Sequence, residues 1–435
     1  MKLIYYFKQA WNLIRQEKLF SSIYIIGTGL SITVVMVLSI VFYLKMANIY
    51  PETNRDRLLI VKSGVENYKD GGMSASSLSY QTVQTCFLNL EQAEAVTAIC
   101  NNYWREDHYV QPAGSKEQVP VTVMYVDTAF WKVFPFRYTE GKSFTAADFQ
   151  SGIPAVVLAE SLAKRLFGAG EAVGQSVRLN FRDYRVCGVV KDASFVTSRV
   201  YAQLYLPYTL YPTYKESYGK SGALGSLQVY ILAPSKKAIG KVKAEVVENL
   251  AKYGQSLPDV EFSVNGQPDR QWQTIFRYYS NSAPDFTKTL LQYGFVFLIL
   301  LLTPAISLAG MTDSRMERRL AEMGVRRAFG APVGVLMRQI IYENSLFILL
   351  GGLVGLIFSY MLILLGRNWI MQIGQTFADI PPKGVDVWFS PSMLLNFSVF
   401  GIALAVCLLL NLLTSLIPAW RAARREITFS LNAKL

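Results

Sequence analysis

The chain has 435 residues, of which 51% are hydrophobic and 17% charged, with a formal net charge of +12. A mean hydropathy of +0.24 is too high for an ordinary soluble protein, and the length leaves room for two or three domains. The basic residues gather at the ends of apolar runs, where membrane topology accounts for them, so the charge does not argue for nucleic-acid binding. Cys86, Cys100, Cys187 and Cys407 show no C-x-x-C spacing, and the single histidine cannot build a His-rich metal cluster. That histidine, His108, is expected at the surface of a loop.

Residues 1–18 are an amphipathic helix candidate on the cytoplasmic side. Leu3, Phe7, Ala10, Trp11 and Ile14 fall on one stripe, away from Lys2, Lys8 and Arg15. Such a segment either lies along acidic lipid headgroups or serves as a positive-inside anchor for the apolar run after it. Residues 21–44 form a first membrane span, about 36 Å long as a helix. It is too long for a signal-peptide core and lacks an A-x-A cleavage site, so it is expected to be retained. Gly27, Gly29 and Ser31 offer a small-residue face for helix packing.

From residue 47 to residue 285 no run can span a bilayer. QVPVTVMYVD, PAVVLAE, QSVRLNF, YRVCGVV and LQVYILA read as strands, and SLAKRLFG and AIGKVKAEVVENLAKYG as helices. The stretch predicts a mixed α+β domain outside the cytoplasm, large enough for two subdomains. Gly168 and Gly170 end a helix, Gly174 turns into a strand, and Arg178 to Val190 forms a hairpin. The GKS at Gly141–Ser143 is no phosphate loop, because Phe136 stands where the first glycine is required. No G-x-S-x-G or H-E-x-x-H arrangement occurs, and Glu106 and Asp107 read as solvated surface charge. Three cysteines here leave room for one disulfide, Cys86 with Cys100, if the compartment is oxidising. Cys407, in an apolar run, reads as packing.

Three further spans are expected at 290–310, 340–365 and 393–417, the first kinked by Pro304. Asn344 and Asn411 read as hydrogen-bonding groups between helices. Residues 366–392 are neutral, as expected outside, and the basic tail 418–435 is expected inside. Between the second and third spans, residues 311–338 carry six arginines (315, 318, 319, 326, 327 and 338) against Asp313, Glu317 and Glu322, a net +3. This cytoplasmic loop reads as a helix, with Glu322 and Arg326 paired at i, i+4. Gly330, Ala331 and Pro332 then stop it and restart another helix. The fold class is therefore an α-helical membrane protein of four spans, with a large mixed α+β extracytoplasmic domain between the first two.

The run ERRLAEMGVRRAFGA resembles the signature loop of the FtsX/MacB-like ABC transporter permeases, R-x-x-E-(I/M)-G-x-R-(R/K)-A-x-G-A. Arg319, Glu322, Gly324, Arg326, Arg327, Ala328, Gly330 and Ala331 occupy matching positions, and Glu343 matches an acidic residue common at the start of the next span. The outer domain adds a second resemblance, to the core-domain pattern of strand, helix, LFG, VG-x-x-(V/I), strand and Y-x-V-x-G-V. Leu166, Phe167, Gly168, Val173, Gly174, Tyr184, Val186, Gly188 and Val189 match it and are expected to be structural. The ending Pro418, Ala419, Ala422, Ala423 and Arg424 is more weakly similar.

The resemblance implies a non-catalytic permease subunit in the inner membrane, with both termini cytoplasmic. Its coupling helix would sit on a separate ABC ATPase, which would bind ATP and magnesium; no catalytic, cofactor or metal residue is expected in this chain. Glu317, Arg318, Arg319, Glu322, Gly324, Arg326, Arg327, Gly330 and Ala331 would be the ATPase-coupling residues. Four spans are few for a transport path, so a homodimer or a heterodimer with a similar permease is implied. A periplasmic adaptor or an outer-membrane channel would fit the same plan. Motion driven by ATP would pass to the outer domains and expel or extract substrate without moving it through the bilayer. The alternative is a membrane-anchored receptor or regulator of an outer ligand or cell-wall hydrolase, without ATP coupling.

Overall fold

The structure is a computed structural model. It describes residues 18–100, 108–112, 116–277, 282–296, 328–370 and 387–394, with isolated positions between and beyond them. The chain divides into two compact units: Met1–Tyr43 with Thr287–Ile370 and Ser390–Leu435, and Leu44–Phe286 with Met371–Phe389. The first ten residues of the N-terminal helix expected over 1–18, Pro304, Cys407, Asn411 and the tail after residue 420 lie outside the described residues.

In the first unit two helices, Lys18–Met46 and Val333–Leu365, are long and apolar enough to cross a membrane. Leu19, Ile23, Ile26, Leu30 and Val34 recur every three or four residues and stay exposed, whereas Thr28, Ile32, Thr33 and Met36 are buried. A large apolar face left open beside a buried small and polar one is the pattern of a helix whose solvent is lipid. The Val333–Leu365 helix begins seven residues before the expected span. Pro332 precedes its first turn in an extended conformation, and a proline there carries no N–H that the helix would need. Its 33 residues extend about 50 Å, more than a bilayer core requires.

The second unit is built on a mixed sheet. Its strands are β1 (Leu58–Val61), β2 (Gly64–Tyr68), β3 (Met73–Leu78), β4 (Ala95–Cys100), β5 (His108–Pro112), β6 (Val119–Val121), β7 (Val123–Val126) and β8 (Tyr138–Gly141). They continue with β9 (Ala155–Ala159), β10 (Ser176–Leu179), β11 (Arg182–Val190), β12 (Leu204–Pro207), β13 (Leu224–Gly225), β14 (Leu227–Leu232), β15 (Val260–Ser263) and β16 (Asp269–Arg270). The main path runs β15-β2-β3-β14-β4-β7-β12-β9-β11-β10-β5-β6. β9 with β11 and β7 with β12 are parallel, while β1 lies antiparallel between β14 and β16. All five sequence-read strands and both helices fall within these elements or the helices Glu160–Phe167 and Ile239–Ser256.

β1 is an unbroken apolar run, and β14 is apolar at every position but Gln228, because both are covered on both faces. Leu59, Val61, Leu227, Val229 and Ile231 enter one cluster, together with the Ile239, Val242, Val246, Leu250 and Tyr253 stripe of the long helix. Leu58, Ile60, Tyr230 and Leu232 enter a second, filled by Phe130, Phe134, Phe136, Phe144 and Tyr205. The family-matching residues Tyr184, Val186 and Val189 pack in a third cluster on the far side. Gly168 ends its helix at φ +69°, and Gly188 lies so close to Lys142 that a Cβ would stand 2.5 Å from its carbonyl oxygen. Their expected structural role matches this geometry.

Two expectations are corrected. His108 does not sit in an exposed loop; it begins β5, is buried, and its Nδ1 lies 2.9 Å from Asn180 Nδ2. Pairing with Val121 on β6 turns its side chain inward, which a single-sequence reading of the polar stretch before it did not reveal. Cys86 and Cys100 are free buried thiols in the first core cluster and form no disulfide. Cys100 Sγ instead donates to Ser226 Oγ at 3.4 Å.

Candidate functional site

Val325 and Arg326 lie in a helical turn that ends where the sequence asks it to. Phe329 N–H donates to the Val325 carbonyl at 3.1 Å and Ala331 N–H to the Arg326 carbonyl at 3.0 Å. Gly330, at φ +85°, supplies the left-handed residue that brings the chain back onto those carbonyls. The next helix begins at once, with Val335 N–H on the Pro332 carbonyl at 3.0 Å.

From this turn a polar chain runs into the helix. Arg326 Nη1 donates to Gln339 Oε1 at 2.6 Å, and Gln339 Nε2 donates to Glu343 Oε1 at 3.0 Å. Gln339 and Glu343 stand at i, i+4 on one face and are 6% and 1% exposed. A carboxylate this deep in an apolar helix is costly unless compensated. The glutamine amide has one orientation that serves both neighbours, oxygen toward the cation and nitrogen toward the anion. The arginine of the motif is thereby linked to a buried carboxyl group ten residues into the next helix. Gln339 escaped the sequence reading, because a single glutamine at i−4 from Glu343 carries no motif signal. Phe329, 88% exposed beside Val325 at 44%, escaped it too, being an unspecified position of the pattern. Glu317, Arg318, Arg319, Glu322, Gly324 and Arg327 lie outside the described residues.

The same helix meets Lys18–Met46 through small residues. Tyr24 meets Phe347 in a tilted ring contact with centroids 5.1 Å apart, Thr28 faces Gly351, and Gly29 with Ile32 faces Gly355. A Cβ on Gly355 would lie 2.7 Å from the Gly29 carbonyl oxygen, and Thr33 Oγ1 reaches the Gly355 carbonyl at 3.3 Å. Contacts that advance together along both helices make the pair parallel. The glycine face read from Gly29 is thus in use, whereas Ser31 Oγ only donates back to Gly27 O. Asn344 is 1% exposed, and its Nδ2 has no hydrogen-bond partner among the described residues.

In the outer unit the strongly perturbed acid is Asp127. Burial pushes its carboxyl up to about 6, although Thr97 Oγ1, Ala98 N–H and Phe130 N–H all donate to it. Burial likewise pushes the Cys86 thiol up to about 12 and Cys100 to about 11. Among the described residues no group of three His, Cys, Asp or Glu side chains gathers to hold a metal ion. Gly141 of the GKS sequence ends β8 opposite Gly188, a strand position and not a phosphate cradle.

Two family patterns match the chain: the MacB-like periplasmic core domain over residues 21–249, and the FtsX-like permease C-terminal region over residues 294–427. The chain is 25% identical over 246 residues to the uncharacterized ABC transporter permease YknZ of Bacillus subtilis, covering 56% of this chain and 58% of that protein. It is 27% identical over 366 residues to the macrolide export ATP-binding/permease protein MacB 1 of Aeromonas hydrophila, covering 81% of this chain and 50% of that one. The chain therefore spans about half the length of these relatives. The solved extracellular domain of the YknZ transporter aligns with 46% of this chain and 99% of its own, at 16% identity and a TM-score of 0.32.

Proposed function

Since the chain belongs to the MacB/FtsX-like family of ABC transporter permeases, we propose that it couples ATP hydrolysis by a separate ATPase subunit to movement of its outer domain. The observation that carries this reading is the Arg326–Gln339–Glu343 chain. A surface loop with no partner to answer to needs no buried carboxylate behind it. Here a cation of the loop is held by a relay that ends at the buried Glu343 carboxyl, so displacing the loop disturbs that buried group. The exposed Phe329 and Val325 give the same turn an apolar contact for a soluble partner.

The parallel pairing of the two long helices supports a multi-pass topology. Two helices that point the same way across a membrane require an odd number of crossings in the chain between them. The apolar run at 290–310 is the stretch suited to that crossing. With both helices starting inside, the loop 311–338 and both termini face the cytoplasm and the sheet domain lies outside, consistent with the arginine bias. Export of macrolides is said of the Aeromonas relative; for this chain the substrate class stays at what an outer domain could expel or extract. The unit acts as a dimer with itself or a similar permease, with ATP and magnesium held by the partner ATPase.

Co-purification from membranes with the candidate ATPase, then measurement of ATP turnover by the complex, tests this. Arg326→Glu and Glu322→Lys are expected to lower ATPase recruitment at least about tenfold, ~1.4 kcal/mol, while the chain still inserts. Recruitment unchanged by either reversal would overturn the coupling assignment.

A further inference from the structure

β1, by which the chain comes into the outer domain, and β16, by which it leaves, are neighbouring antiparallel strands: Leu59 pairs with Arg270 and Ile60 with Asp269. On either side of this pair stands a buried arginine–carboxylate couple. On the inbound side Arg55, 3% exposed, donates Nε to Glu52 Oε2 at 2.7 Å. Its Nη1 donates to the Leu44 and Ala47 carbonyls at 2.7 and 3.0 Å, and its Nη2 to Val196 O at 3.2 Å. On the outbound side Arg277 grips both oxygens of Asp269, itself 1% exposed, and donates to the carbonyls of Ser282 and Asn265.

A third arginine joins the two sides. Arg199 donates to Gln271 Oε1 and to Thr274 Oγ1 and lies 3.5 Å from Glu52. Gln271 Nε2 in turn donates to the Lys45 carbonyl. The orphan carbonyls at the C-terminal end of the first long helix are thus taken by a cation from one side and an amide from the other.

Buried ion pairs are a poor route to stability, because desolvation offsets most of the attraction. This cluster is especially poor in that respect: Glu52 Oε1 is buried without a hydrogen-bond partner among the described residues. What such a cluster does supply is direction. Arg55 and Arg277 each hold one carboxylate and two or three main-chain carbonyls in fixed planar geometry, so the backbone at residues 44–47 and 282 cannot pivot without breaking several charge-assisted bonds together.

We propose that Arg55, Glu52, Arg199, Gln271, Asp269 and Arg277 form a clamp that makes the inbound and outbound chains one rigid base for the sheet domain. They are positioning residues: displacement arriving at either chain is delivered to β1 and β16 instead of being lost as independent bending. The purpose of the clamp rests on the coupling function proposed above, but its rigidity is a property of this chain alone.

The test places spin labels at Met46→Cys and Ala283→Cys of the full-length protein, in a background with Cys187 and Cys407 changed to alanine. The unaltered clamp should give one narrow distance distribution. Gln271→Met, which keeps the side-chain length and removes no charge, and Glu52→Gln with Arg55→Met, which removes both charges together, should at least double its width. Arg55→Lys alone should give an intermediate width, since one ammonium cannot reach all the acceptors. Near-ultraviolet circular dichroism unchanged from the parent shows that the domain stays folded. A broad distribution in the parent, or equal widths in parent and both altered proteins, overturns the clamp. ATP turnover with the co-purified ATPase is read in parallel. Turnover kept in the loosened proteins separates loss of the clamp from loss of ATPase binding, and failure of the parent to recruit any ATPase removes the coupling function while leaving the distance result to stand for the clamp.

Discussion

Replacing Gly355 by alanine adds one methyl group where the structure has no room for it. The new Cβ would lie 2.7 Å from Gly29 O and 2.9 Å from the Ile32 side chain. Neither neighbour can turn aside, because the nearest Ile32 atom is its Cβ, which no χ rotation moves, and the other is a helix backbone oxygen, so the two helices must part by several tenths of an ångström. Overpacking of this kind costs about 1–3 kcal/mol. Separation also lengthens the Thr33–Gly355 hydrogen bond, already 3.3 Å, a contact worth about 0.6 kcal/mol between membrane helices. Against this, alanine gains up to about 1 kcal/mol over glycine in helix propensity. Gly334→Ala isolates that gain, because nothing stands within 4 Å of a Cβ there. The two substitutions should therefore differ by about 2 kcal/mol, roughly 30-fold in the unfolding equilibrium. Reversible unfolding of the detergent-solubilised protein measures the difference. Cross-linking of Tyr24→Cys with Phe347→Cys by a short bis-thiol reagent, made in both backgrounds, reports the helix contact without adding a Cβ to the glycine face. Gly355→Ala at least as stable as Gly334→Ala, with cross-linking undiminished, would refute the close-packed parallel pair.

Gln339→Leu keeps the volume of the relay and removes its bonds, leaving Glu343 without its amide; ATP turnover of the complex should fall while ATPase recruitment, which depends on the loop surface, changes less than about threefold. Glu66→Ala should cost about 2–4 kcal/mol, since the buried carboxylate accepts from Lys220 N–H, Ser221 N–H and Oγ–H, and Ala223 N–H. Faster tryptic cleavage after Lys220 would show the freed loop, and an unchanged cleavage rate would count against the cradle. Asp127, raised to about 6 by burial, binds its proton more tightly folded than unfolded, so its contribution is complete below about pH 4 and is lost as pH rises through about 6. Asp127→Asn should flatten that part of the stability profile by on the order of 1–3 kcal/mol, and an unaltered slope would exclude it. Cys86 and Cys100 should resist alkylation at pH 8 in the native protein and both react after unfolding without reductant. Two thiols missing from that count would establish the disulfide instead.

Much of the molecule was legible along the chain because its signals are local. Two of the long apolar runs form helices long and apolar enough to cross a membrane, and a glycine before Ala-Pro stops one helix and starts another. The strands of the outer domain were legible for a related reason: β14, buried on both faces, keeps an apolar run that no amphipathic helix would show. Arg326, Gly330 and Ala331 carried the resemblance to the FtsX-like permeases, and the matching FtsX-like region over residues 294–427 includes them. The features that sequence could not reach depend on partners distant in the chain. His108 is buried by Val121 and Asn180, Cys86 and Cys100 share a core without meeting, and Gln339 gains meaning only between Arg326 and Glu343. Arg55, Arg199 and Arg277 look like ordinary basic residues until β1 and β16 come together. Local pattern decides which segments are helix, strand or span. Only the tertiary structure decides which buried charges and glycines face one another, because that depends on the register in which remote segments pack.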